Sequence, residues 1–243
     1  MSALLEVRGV SVAFGGVHAL RDVSLDVRAG EVLSIVGPNG AGKTTLFNVV
    51  SGVRRPHAGS ARFDGRELVG MPLHRVARLG IARTYQVVRP FHRLSVVDNV
   101  AVAALERERT RTAARRFARE VVASVGLERF ADMEASALTL TQRKRLELAR
   151  ALALRPRLIL LDEVMAGLTP TEMDEMAEFV LGLRSRGIAA VAGIEHVMRL
   201  VMRVSDRIVV LDAGAKIAEG SPAEVMDDPR VIEAYLGAPL SAV

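Results

Sequence analysis

The 243-residue sequence contains no cysteine, and aromatic residues make up only 4% of it. Without cysteine the chain has neither disulfides nor thiolate metal sites, so its compartment must be argued from other features. The few aromatic residues do not interleave with the basic ones, which argues against the stacking platforms that bind single-stranded nucleic acid. We therefore expect no nucleic-acid partner.

Long apolar runs are also missing, although half of the residues are apolar. No run approaches the ~18 residues that a membrane span requires. Residues 1–8 lack the basic-then-apolar layout of a signal peptide. The chain shows neither an internal repeat nor a low-complexity linker. We expect a cytoplasmic protein with a sizeable hydrophobic core.

The formal net charge is +5 and is carried largely by arginine. Such basicity suits nucleic acid or an anionic membrane surface. The densest basic patches, residues 107–119 and 143–145, alternate with acidic or apolar residues on predicted helices. We interpret most of this charge as solvated helix faces.

The stretch around which the chain is organised reads Gly37, Pro38, Asn39, Gly40, Ala41, Gly42, Lys43, Thr44 and Thr45. It fits G-x-x-x-x-G-K-[ST], follows an apolar run and precedes a helix-like stretch, which is the setting of a P-loop. Glycines let backbone N–H groups close around phosphate, and the next helix turns its positive end toward the same anion. We expect these nine residues to bind a nucleoside triphosphate, with Lys43 serving catalysis at the β- and γ-phosphates and Thr44 holding Mg²⁺.

A second motif lies far along the chain, where four apolar residues, 158–161, end in Asp162 and Glu163. Acidic residues at the carboxyl end of a buried parallel strand lie where such sheets bind ligands. We predict that Asp162 holds Mg²⁺, directly or through water. Glu163 is the predicted catalytic residue that orients or deprotonates the attacking water.

Apolar periodicity predicts the order of strands and helices. Strands are expected at 5–14, 23–27, 32–36, 60–65 (a short edge strand with its turn), 81–86, 157–161, 189–194, 208–211 and 216–219. Helices are expected at 45–51, 76–79, 96–109, 112–125, 142–154, 169–186, 197–204, near 223 and at 230–236. We predict an α/β fold: a P-loop ATPase core with a mainly parallel sheet, N-terminal antiparallel β strands and a helical subdomain.

The expected domain organisation is a single ATPase domain, 1–243. Its catalytic core comprises 1–87 and 157–220, the helical subdomain 88–156, and the C-terminal helical tail 221–243.

Taken together, these residues resemble the ATP-binding subunits of ABC transporters, in the family's motif order across essentially the whole chain. The resemblance implies that Phe14 stacks on adenine. It implies that Gln86 contacts Mg²⁺ and the nucleotide and links the catalytic core to the helical subdomain. It also implies that His196 is the catalytic switch histidine that contacts the γ-phosphate.

The family signature Leu-Ser-Gly-Gly-Gln reads here Leu138, Thr139, Leu140, Thr141 and Gln142. The resemblance implies that Thr139, Thr141 and Gln142 contribute to nucleotide binding from the side of a partner subunit. Thr141 replaces a glycine whose backbone normally lies against the partner's γ-phosphate, so a Cβ intrudes there.

Two further departures from the family pattern follow Glu163. Val164 stands where proline is usual, which we expect to loosen that turn. Thr169 stands where the family has Asp or Asn, in the loop that contacts the opposite subunit.

Three stretches, 166–170, 194–202 and 231–237, look similar to the ATPases of branched-chain amino-acid uptake systems. The resemblance implies an ATP-hydrolysing subunit, peripheral on the inner face of the membrane, that powers inward transport of hydrophobic amino acids. Permease subunits are expected to bind residues 88–92, which read Val88, Arg89, Pro90, Phe91 and His92. Because the motifs on the ATP side are intact and the signature is altered, we expect a second ABC ATPase as partner and favour a heterodimer over a homodimer.

Several alternatives stay open at this point. A related ABC system for urea or amide import, or for lipopolysaccharide export, shares much of the pattern, and the altered signature also fits a weakly active nucleotide-binding regulator. A DNA-repair or chromosome-organising ATPase is disfavoured because the spacer has no heptad array and no cysteine. A translation-associated ATPase would need two P-loops, and the chain has one.

Overall fold

A computed structural model of the chain describes residues 3–85, 89–193 and 198–236. The strands in these ranges are β1 (Leu5–Phe14), β2 (Val17–Val27), β3 (Val32–Val36), β4 (Ala58–Phe63), β5 (Arg66–Glu67), β6 (Ile81–Arg83), β7 (Leu158–Asp162), β8 (Ala189–Gly193), β9 (Arg207–Asp212) and β10 (Ala215–Gly220). The helices are α1 (Lys43–Val50), α2 (Leu73–Leu79), α3 (Val96–Ala104), α4 (Arg111–Ser124), α5 (Leu140–Ala153), α6 (Pro170–Ser185), α7 (Met198–Val204), α8 (Pro222–Met226) and α9 (Pro229–Leu236).

The larger sheet has six strands within the described ranges, in the order β10-β9-β3-β8-β7-β6. Strands β9, β3, β8, β7 and β6 run parallel to one another, and β10 pairs antiparallel with β9. Every residue of β3 and β7 is buried, as expected for central strands covered on both faces. The predicted mainly parallel sheet is confirmed.

The smaller sheet is antiparallel and has the order β2-β1-β4-β5. The strand and turn predicted at 60–65 are present, but the edge position is wrong, because β5 pairs with β4 on its outer side. The turn at Asp64 and Gly65, with φ of 51° and 74°, folds the chain directly back, as a two-residue hairpin loop does. Strand β2 also begins earlier than predicted, since Asp22 (φ 52°) lies where the β1–β2 register shifts and hides the alternation.

Two hydrophobic cores lie on opposite faces of the large sheet. One contains Leu33 and Ile35 of β3, Leu46 and Phe47 of α1, and the inward residues of the small sheet. The other contains Val36 of β3 together with apolar residues of α3 to α7. The long helical stretch between β6 and β7 therefore packs on the same sheet that carries the P-loop.

Helix ends follow the local sequence closely. Thr139, Thr169 and Ser221 cap α5, α6 and α8, each in a reciprocal capping box with the side chain three residues later. The predicted start of α6 is confirmed, whereas α3 ends at Ala104, well before the predicted 109.

The division into core, helical subdomain and tail stays a prediction. In the described ranges, no helix is both long enough and apolar enough to cross a membrane.

Candidate functional site

The loop between β3 and α1 has a backbone that only glycine accommodates at two places. Gly37 and Gly42 have φ of 149° and 106°, and a Cβ there would lie 2.0 Å from the Leu211 carbonyl oxygen and 2.5 Å from that of Ala19. Gly40 has φ of 82° but open space around it. Neighbouring carbonyls thus exclude side chains at the two ends of the loop, and conformation favours glycine in its middle.

Lys43 is the first residue of α1, and its side chain folds back over this loop. The Nζ atom donates hydrogen bonds to the carbonyl oxygens of Gly37 (2.6 Å) and Pro38 (2.9 Å), and the side chain is buried. The ammonium group therefore lies on the concave side of the loop, where it can meet an anion held by the backbone.

The N-terminus of α1 is open to an anion. Gly42 provides no side-chain cap, and the first turn contains no acidic residue. The first N–H groups of the helix, which have no acceptor within the helix itself, and the positive end of its dipole thus face a small pocket of about 130 Å³ between Ala19 and residues 40–45. This arrangement is a ready-made phosphate site.

Asp162 ends β7 at the carboxyl edge of the sheet, as predicted, but it has a partner that sequence reasoning missed. Its Oδ2 accepts a 2.8 Å hydrogen bond from Nη2 of Arg83 on β6, and both side chains are about 5% exposed. The other guanidinium nitrogen, Nη1, donates to the Asn48 side chain of α1 (2.7 Å) and to the hydroxyl of Ser51 (3.1 Å), the residue that caps the C-terminus of α1. Arg83 thus connects the acidic motif to the P-loop helix.

Both predicted Mg²⁺ ligands that the structure describes line one cavity of about 520 Å³. Its lining residues are Thr44, Asn48, Arg83, Tyr85, Arg89, Glu147, Arg150 and Asp162. No cluster of three acidic or histidine side chains suited to a metal occurs in the described ranges. Mg²⁺ is nevertheless compatible with this set, because it takes one or two protein oxygens together with substrate phosphates.

Glu163, the next residue, adopts a left-handed backbone with φ of 49°. A non-glycine residue held there costs ~1–3 kcal/mol, and such strained residues cluster at functional sites. Its N–H donates to the carbonyl oxygen of Gly193 on β8 (3.2 Å). The neighbouring strand therefore takes part in holding this residue in a conformation that it would otherwise avoid.

Phe14 ends β1 and is 47% exposed. The guanidinium carbon of Arg54 lies 4.4 Å from the centre of its ring, so a cation–π contact covers one ring face. The exposed ring remains available for stacking, and its adenine contact stays a prediction.

Several predicted residues lie outside the described ranges, namely Gln86, Val88 and His196. Of the segment expected to meet permease subunits, residues 89–92 are described. Buried Asn99 anchors this segment, because its side chain accepts from the N–H of Phe91 (2.8 Å) and donates to the Phe91 carbonyl (3.0 Å). The Phe91 ring itself is nearly half exposed.

The altered signature forms the start of α5. Thr139 and Gln142 bond each other's backbone in the capping box, so their side chains have a structural role within the chain. The Thr141 hydroxyl donates to the carboxylate of Glu172 on α6 (2.5 Å), and the Leu140 side chain is half exposed. Nucleotide contacts by Thr139, Thr141 and Gln142 stay predictions.

Sequence reasoning missed three charged residues beside the predicted ones: Arg83, Lys144 and Glu172. Each is bonded to a residue 19 to 79 positions away in the chain. The available signals were a basic residue at the end of an apolar strand for Arg83, a charged residue on the buried side of a helix for Lys144, and the Thr-x-x-Glu pattern of a capping box for Glu172. None of these patterns names the distant partner.

Comparison with known proteins agrees with this geometry. Residues 20–166 match the family model described as ABC transporter, and residues 215–240 match the model described as branched-chain amino acid ATP-binding cassette transporter. The first match includes the P-loop, Asp162 and Glu163 and covers more than half of the chain. The chain therefore belongs to the ABC transporter family, as its ATP-binding subunit.

Curated relatives match nearly end to end. The chain is 41% identical to the high-affinity branched-chain amino acid transport ATP-binding protein BraF of Pseudomonas aeruginosa, covering 96% of this chain and 98% of that protein. It is 37% identical to the LivG protein of the same description from Escherichia coli, with the same coverage. The lipopolysaccharide export ATP-binding protein LptB of Acidithiobacillus ferridurans is 36% identical, covering 98% of each chain.

A solved structure supports the fold. An ATP-binding cassette of an ABC transporter in its ADP conformation has a TM-score of 0.88 and 29% identity, covering 98% of this chain and 100% of that one. The predicted fold class, the resemblance to ABC transporter subunits and the assignment as an ABC-type ATPase are confirmed. The individual roles of the site residues stay predictions.

Proposed function

We propose that this chain binds and hydrolyses Mg²⁺·ATP to power uptake of branched-chain or other hydrophobic amino acids through membrane permease subunits. The observation that carries the proposal is the convergence of the P-loop, Thr44 and Asp162 on adjoining cavities at one edge of the sheet. The names of the branched-chain amino-acid transport relatives support the cargo.

Binding of the triphosphate rests on the loop and the start of α1. The N–H groups of the first turn, the backbone at Gly40 and the Lys43 ammonium converge on the same small pocket. Phosphate oxygens would replace the two loop carbonyls as acceptors for Lys43, so that the ammonium would bond a negatively charged acceptor in place of neutral ones. Phe14 would stack on the base.

The metal would be held by Thr44 and Asp162, with Gln86 as a further ligand. When bound, Mg²⁺ would neutralise negative charge on the phosphates. Arg83 fixes the orientation of the Asp162 carboxylate at the wall of the cavity through their buried ion pair. Asp162→Asn should therefore weaken the Mg²⁺ dependence of ATP binding.

For hydrolysis, Glu163 would orient or deprotonate the attacking water, and His196 would contact the γ-phosphate. The fixed backbone of Glu163 at the carboxyl end of β7 supports this assignment. Positioned general bases contribute about 10²–10⁴ in rate. We expect Glu163→Gln to bind ATP and to hydrolyse it at a small fraction of the parent rate.

The partners we propose are permease subunits, docked on residues 88–92, and a second ABC ATPase, with the chain peripheral on the inner face of the membrane. The exposed Phe91 ring above the anchored backbone supports the docking surface. Thr141 supports the heterodimer. Its branched side chain lies at the start of α5, where the family has glycine, and is held there by its hydrogen bond to Glu172 of α6. A partner with an intact signature would leave this chain's own site whole.

Uptake by cells that lack the gene tests the proposal. Uptake of labelled leucine should fall, return with the parent gene and stay low with Glu163→Gln. Uptake of an acidic amino acid is the matched control and should not change. The related export alternative, supported by the similarity to LptB, predicts normal leucine uptake together with a defect in surface lipopolysaccharide, and that result would replace our assignment.

A further inference from the structure

Lys144 is a buried lysine on α5, 7% exposed, whose side chain points into the interior near the end of β7. Its Nζ atom donates to two consecutive backbone carbonyls, those of Glu163 (3.1 Å) and Val164 (3.0 Å). In the described ranges, it forms no ion pair within 4.0 Å. Burying an ammonium group costs free energy unless hydrogen-bond acceptors compensate it. The two carbonyls that compensate Lys144 belong to the turn that begins at Glu163.

The electrostatics agree with this geometry. Burial lowers the pKa of Lys144 from its ordinary value, and the negative charge of Glu163 opposes that shift. The charge of Glu163 and the two carbonyl dipoles are the groups that compensate the buried cation. Lys144 thus interacts with Glu163 in two ways, through a hydrogen bond to its backbone carbonyl and through attraction to its negative charge.

The two peptide groups that flank the Cα of Glu163 are both anchored. On the N-terminal side the Glu163 N–H donates to Gly193 of β8 (3.2 Å). On the C-terminal side the Glu163 carbonyl accepts from Lys144 and also from the N–H of Ala166 (3.1 Å). With both peptide planes held, the direction of the Cα–Cβ bond is set, and the side-chain torsions then determine where the carboxylate lies.

We propose that Lys144 is the positioning residue of Glu163: it holds the Glu163–Val164 peptide so that the Glu163 carboxylate is aimed at the attacking water. This inference rests on the catalytic role of Glu163 in the proposed function. Lys144 is the third hydrogen-bond donor that holds this turn, after the N–H groups of Glu163 and Ala166. The sequence predicts a loose turn here, because valine stands at 164 where the family usually has proline.

The contact also ties Glu163 to the altered signature. Lys144 lies one helical turn after Leu140, whose side chain packs beside Gly167, where an added Cβ would lie 3.3 Å from the Leu140 Cδ2 atom. Thr141 adds its bond to Glu172. The first turns of α5 therefore hold the segment after β7 at three places, and a shift of α5 moves the carbonyl of Glu163 with it.

The test compares Lys144→Met, which keeps length and loses the donor, with Lys144→Arg, which restores one. Lys216→Met is the matched control, because Lys216 lies on β10 and bonds Glu219. In the full-length purified chain, Lys144→Met should lower kcat at least about tenfold and change KM and the ATP Kd less than about twofold. Lys144→Arg should recover most of kcat, and Lys216→Met should match the parent.

Two further measurements separate positioning from mere stability. When Lys144→Met is added to Glu163→Gln, the ATPase rate should fall no further. Lys144 acts through the Glu163 carboxylate, and the glutamine variant has already lost that carboxylate. Hydrogen exchange of the Glu163 and Ala166 amides in the nucleotide-free protein should become faster in Lys144→Met and return to the parent rate in Lys144→Arg.

Specific results would overturn the inference. If Glu163→Gln is inactive but Lys144→Met keeps the parent kcat, or if both amides stay protected, Lys144 does not position Glu163 and the proposed function stands. A full additive loss in the double variant would likewise show that Lys144 acts elsewhere. Equal hydrolysis by the parent and Glu163→Gln would overturn the assigned role of Glu163 itself, and the inference with it.

Discussion

The hydroxyl of Thr141 donates a 2.5 Å hydrogen bond to Oε1 of Glu172, joining the start of α5 to the start of α6. The other carboxylate oxygen, Oε2, accepts from the backbone N–H and the hydroxyl of Thr169, each at 2.8 Å. Thr141 and Thr169 are two positions at which the sequence departs from the family pattern. The structure shows that both threonines donate to the same Glu172 carboxylate, one to each oxygen, so the two departures are physically connected.

The first prediction concerns the pH dependence of this feature. The Thr141 hydroxyl, followed by the N–H and hydroxyl of Thr169, lowers the pKa of Glu172 below its ordinary value. Its stabilising effect is therefore present above the ordinary carboxyl range and is lost as the pH falls through the lowered folded-state pKa. In Thr141→Val the Glu172 pKa should rise toward its ordinary value, as measured by NMR titration of the carboxyl carbon.

Glu224 provides an internal control in the same titration. It occupies the equivalent position in the capping box of Ser221, and its pKa is also lowered. Since no hydroxyl from another helix is bonded to it in the described ranges, its pKa should not change in Thr141→Val. An unchanged Glu172 would mean that the bond from Thr141 does not form in solution.

The second prediction separates the two effects of the threonine at 141. Thr141→Gly removes both the Cβ and the hydroxyl, and the ATPase rate of the purified chain, at concentrations that allow dimers, should rise several-fold. Thr141→Val keeps a branched side chain and loses only the hydroxyl, so its rate should stay near that of the parent. A parent that is already fast, with neither variant changing it, would remove the case for a heterodimer.

The third prediction concerns the P-loop lysine. Lys43→Ala should weaken ATP binding by roughly 10- to 150-fold, which corresponds to about 1.5–3 kcal/mol for hydrogen bonds that involve a charged group. Isothermal titration calorimetry measures the change, and Lys216→Ala, on β10, is the control. The same affinity in Lys43→Ala and the parent would place the nucleotide outside this loop.

The fourth prediction concerns the buried pair Arg83–Asp162. Arg83→Met leaves the Asp162 charge buried without its partner, and the free energy of unfolding should fall by about 3–5 kcal/mol. Arg78→Met is the control, because its ion pair with Glu106 is largely exposed to water and should change the free energy of unfolding little. Urea denaturation compares the two.

Combining Arg83→Met with Asp162→Asn tests the cause of that loss. Because the double variant contains no unpaired buried charge, it should be more stable than Arg83→Met alone. A double variant that loses the sum of the two single effects would mean that the two side chains stabilise the fold independently.

The sequence alone determined the two motifs that define the site. One is residues 37–45 and the other is the apolar run that ends in Asp162 and Glu163. Each is a single continuous stretch of sequence, so its local conformation follows from glycine placement and apolar pattern. The capping of α6 by Thr169 was visible for the same reason. Membership of the ABC transporter family followed from the order of these motifs.

Only the tertiary structure decided which side chains bond across that framework. Arg83 reaches Asp162 because β6 and β7 are neighbours in the sheet, although 79 positions separate them in sequence. Thr141 reaches Glu172, and Lys144 reaches Glu163, because α5 packs against the segment that follows β7. Periodicity records which face of an element is buried, but partner choice depends on strand order and helix packing, and these arise from contacts far apart in the chain.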